Sequence, residues 1–149
     1  DIVPDILVFG KKTQLSGIMV LDKFSKIFEK RSSTRLEVTW DGDHIDMLRC
    51  KYIIRKYKKD KVIENVYNNG KYILKEMKKL LGEDRVSGIG YIIGANFNTK
   101  DVRDDFVNNL YKNSIISNRT GARSIRFRPN LTLSKKETEQ FINTIRSIV

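Results

Sequence analysis

Two lysines, Lys11 and Lys12, directly follow the apolar run Ile6-Leu-Val-Phe9 and a glycine. An amine held in a loop at the end of a buried strand loses hydration and becomes nucleophilic toward an aldehyde, which is the chemistry of a Schiff-base lysine. Elsewhere a lysine pair is a solvated surface charge. Near the other end of the chain, Arg126 and Arg128 alternate with Ile125 and Phe127. Period-two alternation sets both arginines on one strand face and both apolar side chains on the other. By themselves, two arginines on one strand face read as an exposed strand face or a nucleic-acid patch.

Other clusters narrow the chemistry. Asp41-Gly-Asp43-His44 approaches a metal site in composition, but its spacing also suits a helix N-cap, and no metal ligands are assigned. Gly88-Ile-Gly90 and Gly94 lie within an apolar run instead of leading from a strand into a helix, so they form no dinucleotide fingerprint and are expected to permit close strand packing. Asn118-Arg-Thr120 and Asn130-Leu-Thr132 match glycosylation sequons, which carry no weight without a secretory signal. With one histidine, His44, and one cysteine, Cys50, neither an intrachain disulfide, a thiolate zinc cluster nor a Ser/His/Asp arrangement is supported.

The elements that must position these residues follow from the hydrophobic pattern. Ile6 to Phe9 reads as a short strand buried on both faces, which implies a parallel sheet, and Gly17 to Leu21 reads as another strand. Residues 30–39 have no helical stripe and are expected to form an irregular connector. A helix is predicted from about 43 to 59, with Ile45, Leu48 and Tyr52 joined by Met47, Ile54 and Tyr57 in a broad apolar face. A second helix carries Ile63, Val66, Tyr67, Gly70, Ile73, Leu74, Met77 and Leu81 and continues through Asn68-Asn69-Gly70. A single strand over Gly88 to Phe97 and a helix over Thr99 to Tyr111, with Val102, Phe106 and Leu110 on one face, come next. Asn118 to Gly121 is expected to turn a hairpin between Ile115-Ile116 and Ser124 to Arg128. Ser134-Lys-Lys-Glu137 reads as a capping box opening a last helix striped by Phe141, Ile142, Ile145 and Ile148.

Over 149 residues, 40% are hydrophobic and 32% charged, a balance that excludes collagen, low-complexity polymers and a fully disordered chain. Lys and Arg outnumber Asp and Glu by 29 to 18, a net charge of +11. That charge permits nucleic-acid or anionic-surface binding, but Arg55, Lys56, Lys58, Lys59 and Lys61 also read as the solvated face of a helix or a contact with an acidic subunit. No apolar run approaches the roughly 18 to 20 residues of a membrane helix, and residues 1–9 lack a basic segment followed by an apolar one. A soluble protein of the reducing cytoplasm is the expectation.

Several segments in order carry a family likeness: Pro4-Asp-Ile-Leu-Val-Phe-Gly-Lys-Lys-Thr-Gln14 with Ser16-Gly17, Ser33-Thr-Arg-Leu36, Thr39-Trp-Asp-Gly42, Arg126-Phe-Arg-Pro129 and Leu131-Thr132. Over essentially its whole length the chain resembles class III pyridoxal-phosphate aminotransferases, and within that class it looks most like the L-lysine 6-aminotransferases. It departs from the family in having Thr39-Trp-Asp-Gly-Asp43 where Thr-Trp-Gly-Gly-Asn is usual, and Pro129-Asn130 where the family has two prolines.

The resemblance implies an α/β chain that is the carboxy-terminal part of a fold-type I pyridoxal-phosphate transferase. Residues 1–59 would be the end of the cofactor-binding large domain and 60–149 the small carboxy-terminal α/β domain. By the same resemblance, Lys11 matches the Schiff-base lysine and Thr39 the threonine that binds the cofactor phosphate across the dimer, while Arg126 matches the arginine that pairs with the substrate α-carboxylate. The implied cofactor is pyridoxal 5′-phosphate. The implied partners are an amino acid donor, 2-oxoglutarate and a second copy of the enzyme, with neither membrane nor nucleic acid. The family's phosphate loop, ring-stacking aromatic and pyridinium partner lie upstream, so these 149 residues alone are expected to be an incomplete, inactive fragment. The competing reading is a truncated, non-enzymatic basic module that binds nucleic acid or an acidic partner.

Overall fold

A computed structural model describes residues 2–27 and 39–149. Most of the connector expected over 30–39, and the Ser33 to Leu36 segment, lie outside the described residues. The chain divides into two compact units, Asp1–Asp60 and Lys61–Val149.

In the first unit, β1 (Ile6–Phe9) and β2 (Gly17–Val20) pair antiparallel, with Ile6 opposite Val20 and Phe9 opposite Gly17. The expected parallel sheet is corrected here. A parallel pair needs a crossover of a dozen or more residues, and 10–16 is too short to make one. Burial on both faces is corrected too, because a two-stranded ribbon cannot cover its own faces: Val8 is 73% and Ile6 54% exposed. Helix α1 (His44–Lys59) begins where Asp43 caps it, the carboxylate accepting from the amides of Ile45 at 2.8 Å and Asp46 at 3.0 Å. The expected apolar face is rotated. Cys50 is buried with Ile53 and Tyr57 half-buried, whereas Ile45, Leu48 and Tyr52 are exposed.

In the second unit, α2 (Val62–Leu81) runs unbroken through Asn68-Asn69-Gly70. The reason is tertiary. A Cβ on Gly70 would sit 2.5 Å from the carbonyl oxygen of Gly90, so glycine is what lets a neighbouring turn press against the helix. The Asn65 and Asn69 side-chain amides reach out to the Leu133 carbonyl at 3.0 and 3.1 Å, and that of Asn65 also to Leu131 at 3.2 Å. Side chains that favour turns locally here anchor the loop that follows Arg128.

The expected single strand over 88–97 is a hairpin. β3 (Val86–Ile89) and β4 (Ile92–Asn96) are joined by Gly90-Tyr91, with Gly90 at φ +53°, the left-handed geometry such two-residue turns require. Helix α3 (Lys100–Lys112) follows, its Thr99 cap accepting from Val102 N. Its buried face is Arg103, Phe106, Val107 and Leu110, while Val102 is exposed. The second hairpin forms with its turn displaced: β5 is Asn118–Thr120 itself, and β6 (Ser124–Phe127) follows a turn with Gly121 at φ +54°. Helix α4 (Lys135–Ile148) opens with the expected reciprocal capping box of Ser134 and Glu137.

The four strands form an antiparallel sheet in the order β3-β4-β6-β5. Val86, Ile93, Ala95, Ile125 and Phe127 face the core, where they join Ile73 and Met77 of α2, Phe106 and Leu110 of α3, and Ile142 and Ile145 of α4. The opposite face carries no helix among the described residues of this unit. No described helix is long and apolar enough to cross a membrane.

Candidate active site

Lys11 sits where the β1–β2 hairpin is most tightly constrained. The Phe9 ring lies over its cross-strand partner Gly17, so closely that a Cβ there would come within 2.6 Å of Phe9 Cζ. A Cβ on Gly10 would meet Ser16 Oγ at 2.8 Å. The chain then tightens into a 3₁₀ turn, Lys11–Thr13, closed by Gln14 N donating to Lys11 O at 2.9 Å and Thr13 Oγ1 donating to Leu15 O at 2.6 Å. Lys11 and Gln14 both adopt left-handed backbone, at φ +59° and +55°. Such conformations are uncommon outside glycine and persist only where the surroundings enforce them, which is frequent at functional sites. The Lys11 amine has no hydrogen bond or ion pair among the described residues and is exposed. The apolar surroundings expected of it are not supplied by this unit.

The 3₁₀ turn packs against α1. Thr39 lies exposed in the turn that leads into that same helix, followed by Trp40, which is 78% exposed, and Gly42 at φ +71°. Of the acidic residues that distinguish this segment, Asp43 is engaged by the helix amides and so serves as the N-cap. An exposed amine is the group that bonds an aldehyde and an exposed hydroxyl one that can donate to a phosphate, which is the donor chemistry that an aldehyde-bearing phosphate ester such as pyridoxal phosphate requires.

Arg126 lies in the second unit, on the sheet face opposite the one on which this unit's described helices pack. Its cross-strand neighbours are Gly94 on β4 and Asn118 on β5. The expected alternation holds, with Ile125 and Phe127 buried at 0% and 3% exposure and Arg128 exposed. Arg126 itself is half-buried, and its Nε is buried without a hydrogen-bond partner. A buried N–H without an acceptor is costly, which sets Arg126 apart from the solvated Arg128 on the same strand face.

Sequence reasoning missed the support behind this strand. Arg103, 4% exposed, donates through Nη1 to Ser124 O at 3.1 Å and through Nε to Asp104 Oδ1 at 2.7 Å. Arg119 Nε donates to the same oxygen at 2.7 Å and Lys100 Nζ to the other at 2.8 Å. Hydrogen bonds from Lys100, then Arg119 and Arg103, hold the Asp104 carboxyl far below the ordinary range. This cluster ties α3 to both strands of the β5–β6 hairpin. Its one signal in the sequence is a charge at an interior position of the α3 stripe, three residues before Phe106.

Comparison with known proteins reaches the same family as the motifs. The profile described as aminotransferase class-III matches residues 1–149. The L-lysine-epsilon aminotransferase of Mycobacterium bovis is 30% identical over 99% of this chain and 34% of its own length. The 4-aminobutyrate aminotransferase of Dictyostelium discoideum is 28% identical over 94% of this chain and 28% of its own. The solved lysine aminotransferase of M. tuberculosis superposes over all of this chain and 36% of its own, with a TM-score of 0.85 at 29% identity. The chain thus spans about a third of the length of the relatives it matches. Its α/β architecture is that of fold-type I pyridoxal-phosphate transferases, and the chain belongs to the class III aminotransferases.

Proposed function

We propose that these residues are part of a pyridoxal-phosphate aminotransferase that moves the ε-amino group of L-lysine, or the terminal amine of a related ω-amino acid, to 2-oxoglutarate. The reading assigns Asp1 to Lys59 to the end of the cofactor-binding domain and Asp60 to Val149 to the small domain. It takes the functional enzyme to be a homodimer in the cytoplasm. The observation that carries it is Arg126: a half-buried guanidinium with an unpartnered Nε on the uncovered sheet face of a class III aminotransferase. Both the donor and 2-oxoglutarate carry a carboxylate for it to hold. The L-lysine-epsilon aminotransferases among the relatives support lysine as the donor.

Pyridoxal phosphate, when bound, supplies an electron sink for the electrons left on the amine-bearing carbon when its proton departs. Lys11 performs the proton and bond exchange. Its amine would hold the cofactor through the aldehyde and, once free, would serve as the base and acid that moves the proton of the amine-bearing substrate carbon. The Phe9 ring packed over Gly17 fixes the strand end from which Lys11 projects. Thr39 offers its hydroxyl to the cofactor phosphate. Arg126 orients donor and acceptor in turn by a charge-assisted bond pair.

Absorbance of the complete enzyme carrying these residues tests the assignment. The visible band of lysine-bound cofactor should vanish in Lys11→Ala and persist in Lys12→Ala, because only one of two adjacent turn residues can reach the aldehyde. Loss of the band in Lys12→Ala alone would overturn the choice of Lys11.

A further inference from the structure

The uncovered sheet face is organised in rows by the strand register. One row crosses all four strands: Ser87 on β3, Gly94 on β4, Arg126 on β6 and Asn118 on β5. The next holds Asn96, Ser124 and Thr120, in which Ser124 Oγ bonds Asn96 Oδ1. These two rows contain one cation and no carboxylate. They border a shallow depression of about 300 Å³.

Gly94 is the unexplained residue of the face. Glycine in a strand interior costs stability and is found where a bend, a bulge or a close approach demands it. Gly88 on the adjacent strand has such a reason, because its φ is +152° and a Cβ would lie 2.2 Å from Ile92 O. Gly94 has neither. Its backbone is outside the left-handed region, and an added Cβ would find nothing nearer than Ile125 O at 3.8 Å and the Ser87 oxygens at 3.9 Å. The fold tolerates a side chain here, so packing within this unit does not require the glycine. Ser87, Gly94 and Arg126 all line the depression, and Ser87 Oγ has no partner among the described residues. Ser87 and Arg126 stand on strands either side of β4, about 9 to 10 Å apart at the backbone, which leaves room for one small anion between them.

We propose that the substrate carboxylate is laid over Gly94, with Arg126 on one side and the Ser87 hydroxyl on the other, so that Gly94 sets the room and Ser87 is a second binding residue. This rests on the reading of Arg126 as the carboxylate anchor. It adds a specificity element that the motif around Arg126 does not contain. A methyl group at position 94 takes up part of the patch, and a branched side chain fills it.

The test compares two donors in the complete enzyme with cofactor bound: lysine and 1,5-diaminopentane, which has the same terminal amine and no carboxylate. Gly94→Val should raise KM for lysine by at least about 10-fold with kcat little changed, and should leave the diamine rate within about threefold. Gly94→Ala should raise KM for lysine by less than Gly94→Val does. Ser87→Ala should lose about 2- to 12-fold for lysine only, the worth of one hydrogen bond, and Ser87→Thr should restore it. If Gly94→Val slows both donors alike, or changes neither while Arg126→Met discriminates between them, the subsite is wrong and the Arg126 reading stands. If neither Gly94→Val nor Arg126→Met changes the ratio, both readings fail. Should Gly94→Val not fold, the Ser87 pair decides: loss of the lysine preference in Ser87→Ala with rescue by Ser87→Thr supports the proposal, and no change refutes it.

Discussion

Replacing Arg126 with methionine separates function from stability at the position where the two make opposite demands. Methionine keeps an unbranched stem in the half-buried slot and removes the guanidinium, including the Nε that has no partner. Leaving such a donor buried and unsatisfied costs about 1 to 3 kcal/mol, so its removal should hold or improve stability even after some packing is lost. The thermal midpoint of the complete enzyme should therefore stay level or rise slightly. Catalysis should move the other way. A charge-assisted bond pair to a carboxylate is worth about 1.5 to 3 kcal/mol, which corresponds to a fall in kcat/KM of about 10- to 160-fold for lysine and for 2-oxoglutarate. The same enzyme should process 1,5-diaminopentane at close to the wild-type rate. Calorimetry and steady-state kinetics on one preparation give both numbers. A midpoint lowered by more than about 5 °C with kinetics intact for all substrates would show that Arg126 is a structural residue, and the carboxylate reading would be lost.

Asp104 should reveal its role through pH. Its folded-state pKa is depressed, so its contribution is complete above the unfolded value near 4 and is lost as pH falls through the lower folded value; the midpoint gap between wild type and Asp104→Asn should be constant above about pH 5 and narrow below about pH 4. A gap that widens on acidification would refute the assignment. Gly17→Ala should force the Phe9 ring aside, at a cost of about 1 to 3 kcal/mol confined to the hairpin. Hydrogen exchange should then quicken across β1 and β2 and not in the four-stranded sheet, and unchanged hairpin protection would mean that the ring does not need the glycine.

What was legible in the chain was set by short-range chemistry. The capping box at Ser134 and Glu137 and the Asp43 cap satisfy helix amides three residues away, so local sequence suffices to place them. Alternation through Ser124 to Phe127 needs no knowledge of neighbours to put Ile125 inside and Arg126 outside. The three candidate site residues are suggested only by the family likeness, since neither a lysine pair nor two alternating arginines is distinctive. The α1 face was misread because Ile45, Leu48 and Tyr52 have the spacing of a buried stripe, yet Cys50 is what this unit covers. The Gly90-Tyr91 turn was hidden because isoleucines flank it on both sides, and a turn inside an apolar run looks like one longer strand.

By itself, then, the sequence determined the family, the α/β class, the helix starts and the in-out pattern of the strand that carries Arg126. All of these depend on residue order or on contacts within a turn or two of the backbone. Only the tertiary structure decided that β1 and β2 pair antiparallel, that the Asn65 and Asn69 amides hold the Leu131 and Leu133 carbonyls, and that Arg103 and Asp104 brace the β5–β6 hairpin. It also decided which glycines are required by packing and which one leaves an empty place beside Arg126. The physical reason is the same in each case: the partner lies in another element of the fold, so it is absent from the local sequence.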